Sequence, residues 1–152
     1  MQLESIYIDT SISYELPRGC ALKLKIENET QEPHALISKA VFLKHTINHP
    51  PSQFILKLRS GESIQVYSIG FDSFVFMPRK SIYIGTYIYE KHLKQIEGDK
   101  PMLEKDLLLN NPFEFYKNLL AQSDLLYVNE GDTTIISKPA DIPVFNQPIT
   151  LD

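Results

Sequence analysis

Apolar and polar residues alternate along much of the first ninety positions, and a period of two is typical of strands with one buried face. The clearest run covers residues 20–26, where apolar residues at the even positions alternate with Ala21, Lys23 and Lys25. Similar patterns predict strands within residues 6–16, 35–44, 53–58, 64–66, 71–77 and 81–89. The amino-terminal two thirds of the chain should therefore be rich in β-structure.

One connection between strands carries a local signal. The apolar alternation of residues 54–58 stops at Ser60-Gly61-Glu62, and it resumes at Ile64 and Val66. A short glycine-containing turn between two alternating runs predicts a β-hairpin.

The periodicity changes after the break at Gly98-Asp99-Lys100-Pro101. Residues 102–109 fit a short helix, and Asn111-Pro112-Phe113-Glu114 has the cap, first-turn proline and acidic third residue that begin a second one. Residues 125–128 and 133–137 return to a strand pattern around Glu130-Gly131-Asp132, and three prolines follow in the last residues.

These elements predict a single domain that is mainly β, of the α+β class. The expected architecture is an antiparallel immunoglobulin-like or related β-sandwich with a short two-helix insertion, because about eight strands recur at intervals of ~8–12 residues. Residues 1–95 would form the sandwich core, 99–122 the helical insertion, 124–138 the closing strands and 139–152 an extended, proline-containing tail.

Composition and charge exclude several classes of function. The 152 residues carry 15 Lys and Arg against 19 Asp and Glu, a formal net charge of −4. A nucleic-acid partner is not expected, since such binding depends on neutralising phosphates with an excess of basic residues. The amino terminus lacks the basic and apolar segments of a secretory signal, and no run of 18 apolar residues predicts a membrane span. We expect a cytoplasmic location.

Candidate catalytic and metal-binding residues are few. Cys20 is the single cysteine, and its place in step with Leu22 and Leu24 favours a core thiol over a nucleophile. His45 and His49 have a four-residue spacing, but Pro50-Pro51 follows directly and argues against a helix there. A loop site that also includes His34 is an open alternative, as is hydrolysis by acidic residues. We predict no catalytic residues, no metal and no cofactor.

The tyrosines of residues 81–89 provide the most informative pattern. Tyr83, Tyr87 and Tyr89 fall on one face of a single predicted strand, and Ile82, Ile84 and Ile88 fall on the other. Tyrosine combines a large apolar area with few rotors and one hydroxyl, which suits recognition. The alternative is that these rings pack across strands or beneath the helices. Phe71, Phe74, Phe76 and Met77 form a second candidate surface, for which a core role is favoured.

Two segments resemble a known family. L-x-x-G-E-S-I-x-V from Leu58 and K-S-I-Y-I-G-T-Y-I-Y from Lys80 are similar to later strands of the sandwich-type outer-membrane lipoproteins of type VI secretion machines. The resemblance spans about a fifth of the chain, and Cys20 has no lipoprotein leader before it. It implies a β-sandwich with a helical addition and a role as an assembly scaffold.

The sequence thus predicts a non-enzymatic interaction or assembly subunit. Its binding residues would be Tyr83, Tyr87 and Tyr89. Its acidic loops would steer a protein partner with a basic surface, and they contain Glu27, Glu29 and Glu32 and then Glu130 and Asp132. Association with further copies of the chain is a second possibility. A small-ligand or carbohydrate-binding sandwich and a secretion-machine component are the alternatives.

Overall fold

The computed structural model describes residues 1–9, 19–27, 29, 31–37, 53–69, 73–76, 78–94, 105–129 and 132–151. Ten strands and three helices lie within these residues. In chain order they are β1 (Gln2–Tyr7), β2 (Gly19–Glu27), β3 (His34–Ile37), β4 (Gln53–Lys57), β5 (Ser63–Ile69), β6 (Ser73–Phe76), β7 (Ser81–Tyr89), α1 (Glu90–Lys94), α2 (Lys105–Asn110), α3 (Pro112–Gln122), β8 (Asp124–Asn129), β9 (Asp132–Ile135) and β10 (Val144–Phe145).

Eight of these strands form one curled sheet, in the order β10-β1-β2-β7-β5-β4-β8-β9. Neighbours are antiparallel except β1 and β10, which are parallel, so the sheet is mixed. Strands β3 and β6 pair separately as a two-stranded antiparallel sheet. The prediction of a mainly β chain is confirmed. The immunoglobulin-like sandwich is not, because the large sheet curves around the core instead of facing a second large sheet.

The carboxyl-terminal segment joins the two ends of this sheet. The Ile136 N–H donates to the Leu125 carbonyl of β8 at 2.8 Å, near one end of the sheet, whereas the next residue, Ser137, bonds to β1 near the other end. Its carbonyl accepts from the Leu3 N–H at 2.8 Å. Farther along, the Pro143 carbonyl accepts from the Ile6 N–H of β1 at 2.8 Å. Residues expected to form a tail thus include β10, which lies along β1 of its own chain.

The core lies on the concave side of the curled sheet. Even-numbered residues of β2 are buried there, as the alternation predicts, and Cys20 is fully buried among them. Helix α3 shares this core through four of its side chains, which are Phe115, Tyr116, Leu119 and Leu120. Its amphipathic pattern therefore brings the helix against the inner face of the sheet.

Both ends of α3 have side-chain caps. The Asn111 Oδ1 atom accepts from the Glu114 N–H at 3.2 Å, and Pro112 occupies the first turn, which confirms the predicted start. At the other end, the Lys138 ammonium donates to the carbonyl oxygens of Leu120, at 2.6 Å, and Ser123. A cation is favourable at this negative end of a helix dipole, so Lys138 links the segment that follows β9 to the end of α3.

Candidate interaction surface

The three predicted tyrosines lie on the convex face of the sheet, away from the core. Strand β7 buries Ile84 and Ile88 on the inner side, so the odd-numbered positions point outward. Tyr83 is 39% exposed, and Tyr87 and Tyr89 are half-buried. Gly85 separates Tyr83 from the other two.

Tyr87 belongs to a row of residues that crosses five strands. Phe145 of β10 is opposite Tyr7 of β1, and Tyr7 is opposite Ala21 of β2. Ala21 is opposite Tyr87, which is itself opposite Tyr67 of β5. Directly opposed residues of neighbouring strands share a face, so four aromatic rings and one small residue are aligned on the outer side of the sheet. Tyr7 and Ala21 are buried within this row, Tyr67 and Tyr87 are half-buried and Phe145 is exposed.

Two further rings extend this row at the end of β7. The Tyr89 ring lies 5.0 Å from Tyr87 and 5.2 Å from Tyr67, between ring centroids. The His92 ring of α1 lies 5.6 Å from both Tyr67 and Tyr89. At the other end, Phe145 stacks on Tyr7 at 5.3 Å. We refer to these six residues (Tyr7, Tyr67, Tyr87, Tyr89, His92 and Phe145) as the aromatic belt.

Lysine ammonium groups accompany the outer rings. The Nζ atom of Lys23 lies 4.5 Å from the centre of the Tyr83 ring, and that of Lys91 lies 5.4 Å from the centre of the Tyr89 ring. Both distances fall within the range of cation–π attraction. Burial, with smaller contributions from Cys20, Tyr89 and Glu90, raises the pKa of Tyr87 to about 12. The phenol of Tyr87 therefore stays neutral at physiological pH.

Gly19 allows the Tyr87 ring to lie close to β2. A Cβ atom at position 19 would be 2.7 Å from Cε1 of Tyr87 and 1.9 Å from the carbonyl oxygen of Ile88. Both separations are far below ordinary contact distance, so only glycine fits this close approach.

Sequence reasoning missed four of the six belt residues. Tyr7, Tyr67, His92 and Phe145 were not among the predicted binding residues, although Tyr7 and Tyr67 each neighbour an apolar strand residue that is buried. The missing information is the register between strands, since the belt brings together positions from 7 to 145.

The other candidate residues fall into two groups. Cys20 is buried and burial raises its pKa well above the usual range, which is unfavourable for a thiolate nucleophile. His45, His49, Phe71 and Met77 lie outside the described residues, and the side chains of His34, Phe74 and Phe76 do as well. Within the described part of the chain, no cluster of three His, Cys, Asp or Glu residues could hold a metal ion.

A cleft of about 310 Å³ lies where β2 ends and β7 begins. It is lined by Glu27, Glu29, Arg79, Lys80 and Ser81. Because it contains charges of both signs and no aromatic ring, it is chemically distinct from the belt.

Comparisons of the chain with protein-family models, curated proteins and solved structures gave no match. The resemblance to secretion-machine lipoproteins thus stays a prediction. Among the described residues, no helix is long and apolar enough to cross a membrane.

Proposed function

We propose that this protein is a non-enzymatic interaction or assembly subunit, and that Tyr83 and the solvent-accessible rings of the aromatic belt are its contact surface for another protein. The observation that supports this proposal is the alignment of aromatic rings across five strands on the face of the sheet that does not enclose the core. Aromatic residues are enriched at the centres of protein interfaces because they bury a large area with little loss of rotamer entropy.

The ring geometry favours a protein over a sugar. Tyr87 and Tyr89 are inclined by 59° and Tyr67 and Tyr89 by 65°, so these rings expose edges and faces at different angles. An irregular aromatic surface is suited to interdigitating side chains, whereas a flat ligand stacks best on a single exposed plane.

Charge would contribute to the encounter rather than to the contact itself. Glu27, Glu29 and Glu32 are exposed between the end of β2 and the start of β3, and Glu27 pairs with Lys25 at 3.0 Å. Exposed carboxylates of this kind would accelerate association with a basic partner surface and would lose their effect at high salt.

A matched pair of variants tests the belt proposal. Tyr83→Ala removes a side chain that is 39% exposed beside the belt, and Leu151→Ala removes one that is 40% exposed elsewhere. Partners are captured from native extract, identified by mass spectrometry, purified and titrated against each variant. We expect the double variant Tyr83→Ala/Tyr89→Ala to bind its partner at least tenfold more weakly than the unsubstituted protein. Leu151→Ala should leave the affinity unchanged.

Equal affinity of all variants for every purified partner would contradict the proposal. The melting temperature of each variant is measured in parallel, because a large decrease in the tyrosine variants would instead assign those rings to the stability of the sheet.

A further inference from the structure

Strand β9 ends the large sheet, and its outer edge has no strand partner among the described residues. On its other side β9 pairs with β8, where Ile135 is opposite Leu126 at one end and Asp132 is opposite Asn129 at the other. All four of its side chains are exposed, and Ile135 is 68% exposed. An exposed edge of this kind is a template for another strand.

The hydrogen-bond pattern identifies which backbone groups face outward. The Ile136 N–H donates to Leu125 on β8, so the alternation of an antiparallel ladder directs the groups of Thr134 and Asp132 to β8 as well. The N–H and C=O groups of Thr133 and Ile135 therefore point away from β8. Ser137 follows at the next position of the same alternation, and its N–H and C=O groups also point away from β8, towards β1, where they bond to Met1 and Leu3.

An apolar row on the convex face leads to this edge. Ile55 of β4 is opposite Leu126 of β8, and Leu126 is opposite Ile135. Ile55 and Leu126 are half-buried, and exposure is greatest at Ile135, the last residue of the row. A strand added beyond β9 could continue the row with an apolar side chain beside Ile135.

Charge indicates what kind of strand fits. Native edges are commonly protected by lysine, proline or a bulge, but β9 has the sequence Asp-Thr-Thr-Ile, with one carboxylate and no cation. The chain has a net charge of −4, which disfavours a second copy at this edge. A positively charged strand is complementary to both Asp132 and the chain as a whole.

We propose that the outer edge of β9 binds an extended, basic segment of a partner protein by strand addition. The backbone groups of Thr133 and Ile135 supply the hydrogen bonds, Ile135 contacts an apolar side chain and Asp132 attracts a lysine or arginine. The proposed edge consists of β9 residues, none of which belongs to the aromatic belt.

The test uses the full chain labelled with ¹⁵N and three synthetic nine-residue peptides. One alternates valine and lysine, one alternates valine and glutamate, and the third has the charge of the first but contains alternating prolines. We expect the valine–lysine peptide to shift the amide signals of Thr133 and Ile135, to slow their hydrogen exchange and to bind at least tenfold more tightly than the other two. Asp132→Lys should abolish that preference, whereas Glu62→Lys, with the same charge change at an exposed turn, should retain it.

Several results would overturn the proposal. These are unchanged amides of Thr133 and Ile135 at saturating valine–lysine peptide, equal binding of the proline peptide, equal or tighter binding of the valine–glutamate peptide, and equal effects of Asp132→Lys and Glu62→Lys. Concentration-dependent shifts of the same amides without peptide would assign the edge to a second copy of the chain instead.

Discussion

Substitution of Gly19 by alanine tests the close packing of β2 on β7 beneath the aromatic belt. The added Cβ would lie 1.9 Å from the Ile88 carbonyl oxygen, whereas ordinary contacts begin at 3.4 Å. The strands would have to separate locally by about 1.5 Å, the difference between those two distances. The Tyr87 ring could rotate away, but the Ile88 oxygen belongs to the backbone and cannot.

The expected cost follows from this displacement. Overpacking a well-filled site costs about 1–3 kcal/mol, and each ladder hydrogen bond that is lost adds about 0.5–1.5 kcal/mol. We therefore expect Gly19→Ala to lower the free energy of unfolding by about 2–5 kcal/mol, measured by urea denaturation with circular dichroism. It should also change the near-ultraviolet signal of the tyrosines, because Tyr87 must move.

Gly61→Ala provides a control of a different kind. Gly61 has a φ of +91°, and no atom lies within 4 Å of the position that a Cβ would take, so alanine there would cause backbone strain without a clash. The near-ultraviolet signal of Gly61→Ala should match that of the unsubstituted protein. A Gly19→Ala variant with unchanged stability and an unchanged tyrosine signal would refute the packing argument.

Three further predictions concern α3 and the tyrosines. Lys138→Met should lower the free energy of unfolding by about 1–2 kcal/mol, because two carbonyls at the end of α3 lose a charged donor. Lys80→Met, at an exposed position, is the control, and equal urea midpoints of the two variants would contradict this prediction. Asn111→Ala should lower the free energy of unfolding by about 1 kcal/mol, and Asn111→Ser by much less, because serine can also accept from the Glu114 N–H. Equal thermal midpoints of these two variants would argue against the cap. The pKa of Tyr87 is raised to about 12 in the folded chain and is about 10 when unfolded, so the contribution of its neutral phenol to stability should be present below pH 10 and be lost as pH rises towards 12. The decrease in stability over this range should be less steep in Tyr87→Phe than in the unsubstituted protein. Identical pH dependence in urea titrations would show that Tyr87 does not contribute.

Local sequence signals predicted the elements that depend on neighbouring residues. The alternation in residues 20–26 corresponds to β2, and the turn at Gly61 connects the β4–β5 hairpin as expected. The start of α3 was equally clear, because a cap, a first-turn proline and an acidic residue are all close in sequence. These features are determined within a few residues of one another.

Closure of the sheet depended on contacts that no local pattern reveals. Strand β10 has only two residues, directly follows Pro143 and pairs in parallel with β1 from the opposite end of the chain. A proline-containing segment is an unfavourable candidate for a strand, so sequence reasoning assigned it to a tail. The mixed, curled sheet could not be inferred for the same reason.

The place of Tyr7 in the aromatic belt depends on an irregularity in β1. Leu3 and Ile6 are both buried in the core, although strict alternation would place an odd and an even position on opposite faces. The register with β2 shifts between Leu3 and Ser5, and one extra residue in a strand reverses the faces of the residues that follow it. With that shift, Ile6 faces inward and Tyr7 faces outward beside Ala21. Without it, the inward position of Leu3 would direct Tyr7 into the core and interrupt the row between Phe145 and Tyr87. The candidate surface therefore depends on strand register, which is why the tyrosines of β7 could be recognised from the sequence while their partners in neighbouring strands could not.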